Sequence, residues 1–192
     1  KYKMRAVMGN TIMTDGNPKL ITNGETSMLI SEKLYNKWHK TNRLSYALTP
    51  RFALSCTDES MGLCKEFVES HSDAYMQTHL CENVNEIQDT LAKFPWAKDY
   101  LEVYEKYGLV HDKSIFGHCI HLSDSEWSRM TEAEVIFANC PISNNYLGSG
   151  LFRYDEAIKR NAKLTLATDW AAGNTLSMLR VMDDAYKRSE ER

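Results

Sequence analysis

The sequence has no Cys-x-x-Cys pair, and its cysteines are odd in number: Cys56, Cys64, Cys81, Cys119 and Cys140. Neither a disulfide framework nor a zinc knuckle is indicated, and reduced thiols in a cytoplasmic protein fit best. No apolar run approaches the roughly 20 residues of a membrane-spanning helix. Lys1-Tyr2-Lys3-Met4-Arg5 has no signal-peptide core behind it. Charge of one sign is scarce too. Lys and Arg total 23 against 26 Asp and Glu, a net charge of −3, so electrostatics gives no reason to expect nucleic acid as partner, and without a long apolar run no membrane partner is expected. The nearest basic patch, Lys187-Arg188 with Arg192, is interleaved with Glu190 and Glu191 and reads as a solvated helix end. A glycine-rich phosphate loop, an internal repeat and a low-complexity linker are all missing. One domain over residues 1–192 is the expectation. Because the first residue is Lys1, we expect a piece of a longer protein.

What the sequence does have is alternation. Strand-like segments at Arg5–Met8 with Thr11–Met13, Leu44–Leu48, Ala74–Leu80, Ser114–Leu122, Val135–Asn139 and Leu164–Thr168 are each followed by helix-like ones. The helical stretches are Ser27–His39, Asp58–Ser70, Asn83–Lys93 with Trp96–Tyr107, a start at Ser123-Asp124-Ser125-Glu126 that reads as a capping box, Tyr154–Arg160 and Thr175–Glu190. Such alternation predicts an α/β fold, a parallel sheet covered by helices. An open doubly wound sheet and a (β/α) barrel both satisfy it.

Polar residues collect at the carboxyl ends of the strands: Arg51, then His79 with Glu82 just beyond, His118, Asn139 with Cys140, and Asp169. In a (β/α) barrel these ends converge on one catalytic face, which favours the barrel. Imidazole and carboxylate are ordinary zinc ligands. A carboxylate three residues past a histidine suits a general acid/base beside a metal-held water. Each feature also has a plain structural reading. A lone strand-end histidine is often structural, Thr168-Asp169 resembles a helix N-cap, and Glu82-Asn83 resembles a helix start.

Several longer motifs carry a resemblance. Thr49-Pro50-Arg51-Phe52, Gln77-Thr78-His79-Leu80-Cys81-Glu82-Asn83, Gly117-His118-Cys119-Ile120-His121-Leu122, Asn139-Cys140-Pro141-Ile142-Ser143-Asn144, Leu147-Gly148-Ser149-Gly150-Leu151-Phe152 and Ala167-Thr168-Asp169 together resemble the guanine deaminases of the amidohydrolase superfamily. The match runs over nearly the whole chain, and Thr-Pro-Arg-Phe is its most specific element. The resemblance implies a zinc-dependent hydrolase of the TIM-type barrel class, commonly a homodimer, converting guanine to xanthine and ammonia. It makes His79 and Asp169 metal ligands, His118 the group that orients the attacking water, and Glu82 the proton carrier with Asp169 assisting. Arg51 and the backbone near Phe52 would hold guanine, with His79, Glu82 and Asp169 also facing it.

Two departures stand out. The family takes two further zinc ligands from a His-x-His on its first barrel strand, and none of His39, His71, His79, His111, His118 and His121 forms one. Six strand–helix units against the barrel's eight agree with absent N-terminal strands and an absent small β-domain. The 192 residues alone are therefore expected to hold zinc weakly. Asn139 also stands where the family has histidine. The competing readings are a related deaminase or chlorohydrolase acting on another heterocycle, and a non-catalytic barrel fragment that needs a partner.

Overall fold

The computed structural model describes residues 4–190. Lys1 to Lys3, together with Glu191 and Arg192 of the expected solvated helix end, lie outside them. The elements run β1 (Ala6–Met8), β2 (Thr11–Ile12), α1 (Gly24–Trp38), β3 (Leu44–Pro50), α2 (Asp58–Ser70), β4 (Tyr75–Leu80), α3 (Val84–Lys93) and α4 (Tyr100–Lys106). They continue with β5 (Ser114–His118), α5 (Asp124–Glu132), β6 (Ile136–Asn139), α6 (Pro141–Leu147), α7 (Tyr154–Lys159), β7 (Lys163–Leu166) and α8 (Met178–Glu190). The strands pair in the order β1-β3-β4-β5-β6-β7, with β2 beside β3, and every pairing is parallel. A parallel neighbour requires a crossover, and the helices supply it. All strand carboxyl ends therefore lie on one side of the sheet.

Helix starts follow local side-chain chemistry. Asn23, Thr57, Asn83, Asp99 and Ser123 each accept a backbone N–H of the first helical turn, a contribution of about 1 kcal/mol per cap. Ser123 and Glu126 form the expected capping box. The helix anticipated from Trp96 begins only at Tyr100, because the Asp99 carboxylate takes the Glu102 N–H. The strand anticipated to reach Leu122 stops at His118, where the backbone turns left-handed. Helix α6 lies outside the helices expected from the sequence. Pro141 stands at its start and Gly148 ends it with φ +69°.

Between sheet and helices lies a core that includes Leu48, Met76, Phe116, Trp127 and Phe137, all fully buried. The Trp127 ring of α5 stacks on Phe137 of β6 with centroids 4.8 Å apart. The Tyr104 hydroxyl, fully buried, ties α4 to the strand ends. It donates to the His79 carbonyl at 2.8 Å, accepts the Ala53 N–H at 3.0 Å and lies 3.1 Å from the Thr78 hydroxyl. Tyr104→Phe leaves those buried groups unpaired, and the expected cost is about 1–3 kcal/mol of stability. Denaturant titration checks it. An unchanged midpoint and slope would show that the hydroxyl contributes nothing.

Candidate active site

Strand register brings the first pair of site residues together. His79 of β4 pairs with Gly117 of β5, and Gly117 with Ala138 of β6. The floor beside the imidazole therefore carries no bulk. His118, next along β5, pairs with the buried core residue Leu80. In a regular strand it would face the opposite side from His79, because side chains alternate. Left-handed backbone at His118 (φ 67°) and Cys119 (φ 53°) reverses it. The two imidazoles then stack with centroids 5.2 Å apart. Cys81 and Asp169 are left-handed too, at φ 52° and 45°. Non-glycine residues in this conformation cost roughly 1–3 kcal/mol each and concentrate at functional sites.

The carboxylates meet the second imidazole. His118 Nε2 lies 3.5 Å from Glu82 Oε2 and 3.9 Å from Asp169 Oδ2, with the histidine 2% exposed. Glu82 stays clear of helix capping: Asn83 caps α3, and Glu86 accepts the Glu82 and Asn83 N–H groups. Asp169 caps nothing either, since α8 begins at Met178. The Asp169 carbonyl accepts the Gly173 N–H at 2.6 Å in a turn that admits no side chain at 173. A Cβ there would lie 2.4 Å from the Thr168 carbonyl oxygen.

Hydrogen bonding sets the state of each ring. His79 Nδ1 donates to the Arg51 carbonyl at 2.6 Å, which leaves Nε2 with its lone pair. Burial, reinforced by the neighbouring His118, holds the His79 pKa below its ordinary value and keeps the ring neutral. For His118, burial opposes a charge, but contact with Cys140, the Glu82 carboxylate and the Asn144 hydrogen bond outweigh it. Its pKa is pushed up to about 9.

A cleft of about 280 Å³ opens among these residues, lined by Gln77, His79, His118, Cys140, Asp169 and Trp170 among others. Glu82, whose carboxylate lies 3.5 Å from His118, lines a second hollow with His121 and Ser149. Among the described residues, one group of side chains stands close enough to share an ion: His118, Cys140 and Asp169, whose ligand atoms lie within 4.8 Å of one another. His79 is not one of the three. Its neutral ring, with Nδ1 committed to a backbone carbonyl, nevertheless has the arrangement of metal-binding histidines. Nitrogen and oxygen donors of this kind fit a divalent zinc.

The other expected residues are placed differently. Arg51 is exposed, and its guanidinium lies over the Phe52 ring at 4.9 Å. Phe52 stands 6.2 Å, centroid to centroid, from His79. Asn139 is fully buried behind the cleft: its amide donates to Tyr154 Oη at 2.5 Å and accepts from Asn144 at 3.0 Å. The sequence reading gave no role to Ser143, Asn144 or Ser149, each of which bonds a site side chain. Their only signal in the sequence is their place in the motifs that carry the resemblance.

Residues 2–192 match the amidohydrolase family. The chain is 40% identical over 185 residues to the guanine deaminase of Escherichia coli (strain K12), covering 96% of this chain and 42% of that enzyme. The solved structure of E. coli guanine deaminase superposes with a TM-score of 0.95 over 97% of this chain and 44% of that one. Guanine deaminase from C. acetobutylicum, solved with bound guanine in the active site, gives a TM-score of 0.92 at 30% identity, over 97% and 45% of the two chains. This chain thus spans under half the length of the relatives it matches. Its open parallel sheet corresponds to part of their (β/α) barrel.

Proposed function

We propose, for a chain that belongs to the amidohydrolase family, the hydrolytic deamination of guanine to xanthine and ammonia with zinc as the metal. One observation carries the proposal. Glu82 and Asp169, from separate strand ends, lie within 3.9 Å of His118 Nε2, and His79 stacks on the same ring. Members of this family work with a metal, and bound zinc supplies a water acidic enough to be a nucleophile at neutral pH. His79 and Asp169 would hold the ion. His118 Nε2 would orient the attacking water. Glu82 would take a proton from that water and pass it to a purine ring nitrogen, with Asp169 assisting. The water oxygen would bond to the carbon bearing the amino group, its second proton would pass to the amino nitrogen, and that carbon–nitrogen bond would break to release ammonia and leave the oxygen as the new carbonyl of xanthine. Five free, buried cysteines suit a reducing cytoplasm.

Full-length protein with zinc tests this reading: guanine should give xanthine, while adenine, cytosine and triazines should not react. No xanthine, or faster turnover of a triazine, would overturn it.

Arg51 is the candidate for the purine carbonyl, because its guanidinium sits over Phe52 near His79. Its backbone carbonyl, which fixes His79, survives truncation of the side chain. Arg51→Ala should therefore keep its zinc and lose a charge-assisted hydrogen bond of about 1.5–3 kcal/mol, or roughly 10–100-fold in kcat/KM for guanine. A variant that loses zinc but keeps its guanine affinity refutes the role.

A further inference from the structure

Three of the site side chains come from three strand ends, yet one short stretch of chain bonds all of them. Ser143 Oγ donates to Asp169 Oδ2 at 2.6 Å. His118 Nδ1 donates to Asn144 Oδ1 at 2.9 Å. Ser149 Oγ donates to Glu82 Oε1 at 3.2 Å. None of the three is more than 8% exposed. We propose that residues 143–149, helix α6 and the turn after it, form one positioning element for the reaction, with Ser143 acting through Asp169, Asn144 through His118 and Ser149 through Glu82. The inference rests on the deaminase reading above.

The stretch is itself held from outside. Asn144 Nδ2 donates to Asn139 Oδ1, and Asn139 Nδ2 donates to Tyr154 Oη. Donors thus run one way, from His118 through Asn144 and Asn139 to Tyr154. That order fixes Asn144 with its oxygen toward His118 and holds an N–H on His118 Nδ1, so that Nε2 is turned to the Glu82 and Asp169 carboxylates. The turn is anchored as firmly. The Ser149 carbonyl accepts from His121 Nε2 at 2.7 Å, and the Ser149 N–H donates to the Asn144 carbonyl at 2.8 Å. Gly150, at φ +128°, permits the approach: a Cβ there would meet Ile120 at 3.0 Å and the His121 ring at 3.3 Å. A buried polar network in which each member is satisfied holds one arrangement strongly. It also explains why Asn139 serves without facing the cleft.

The test uses full-length, zinc-loaded protein. Ser149→Ala should lower kcat about 10-fold or more, within the roughly 10–100-fold range for partners that orient a site group, with KM for guanine and zinc content unchanged. The loss should vanish when the same change is made in a Glu82→Gln background, since a residue acting through Glu82 has nothing left to position. Ser149→Thr, which keeps the hydroxyl, should recover most of the rate. Asn144→Asp keeps the acceptor for His118 Nδ1 and should be more active than Asn144→Leu. Ser143→Ala should weaken zinc binding about 10–100-fold in chelator competition, a measurement that needs no substrate. Full kcat in Ser149→Ala, an undiminished loss in the Glu82→Gln background, or unchanged zinc affinity in Ser143→Ala would each overturn the inference. Wild-type protein that makes no xanthine would fail the deaminase reading alone, and the zinc arm would still decide this one.

Discussion

In full-length, zinc-loaded protein, replacing His79 by alanine is expected to strip the zinc and reduce xanthine formation to background. Nδ1 is committed to the Arg51 carbonyl, and a buried ring beside His118 stays neutral, so Nε2 is a ligand that need not shed a proton before binding. Removing a partner that merely orients a ligand costs about 10–100-fold in metal affinity, and removing the ligand itself should cost more. The fold should survive, because the His79 N–H to the Arg51 carbonyl and the His79 carbonyl to Tyr104 are backbone contacts. Zinc content after dialysis and the melting temperature, taken on one sample, decide it. Zinc retained in full would transfer the ion to His118, Cys140 and Asp169, the three side chains grouped by distance, and would remove His79 from the metal site.

Glu82→Gln should leave zinc and guanine binding intact while the rate falls about 10²–10⁴-fold, the range for loss of a general acid/base. Glutamine keeps the size of the side chain and can still accept from Ser149 Oγ, but it cannot carry a proton to and fro. A helix-start role for Glu82 would instead cost about 0.3–1 kcal/mol of stability. The structure gives that work to Asn83 and Glu86, so the melting temperature should hardly move. Turnover near wild type would leave Glu82 without a catalytic part.

Much of the fold was legible because its signals are local. Caps at Asn83 and Ser123 and the apolar strands between them depend on neighbours in sequence, so α3, α5 and the parallel alternation could be read directly. Helix α6 was not legible. Cys140 offers its N-terminus no side-chain cap, and its value lies in partners on other elements. The reach of β5 was misjudged for a related reason. Ser114 to Leu122 reads as continuous strand, and the left-handed turn at His118 and Cys119 is tied to a neighbouring strand as well as to the local Gly117 carbonyl. The Cys119 N–H, for example, bonds the Leu80 carbonyl at 2.9 Å.

The sequence by itself determined the alternation of strands and helices and the resemblance, and it made His79, Glu82, His118 and Asp169 the candidates, because residue type, strand-end position and the shared motifs single them out. Tertiary structure alone decided how they meet. A strand's alternation would set His79 and His118 on opposite faces, and a left-handed pair of residues cancels it. Tertiary structure also placed Asn139 behind the cleft and made Ser143, Asn144 and Ser149 partners of three strand ends. Hydrogen bonds between residues 26 and 67 positions apart leave no periodic trace in a sequence; they exist only once the sheet has brought those ends together.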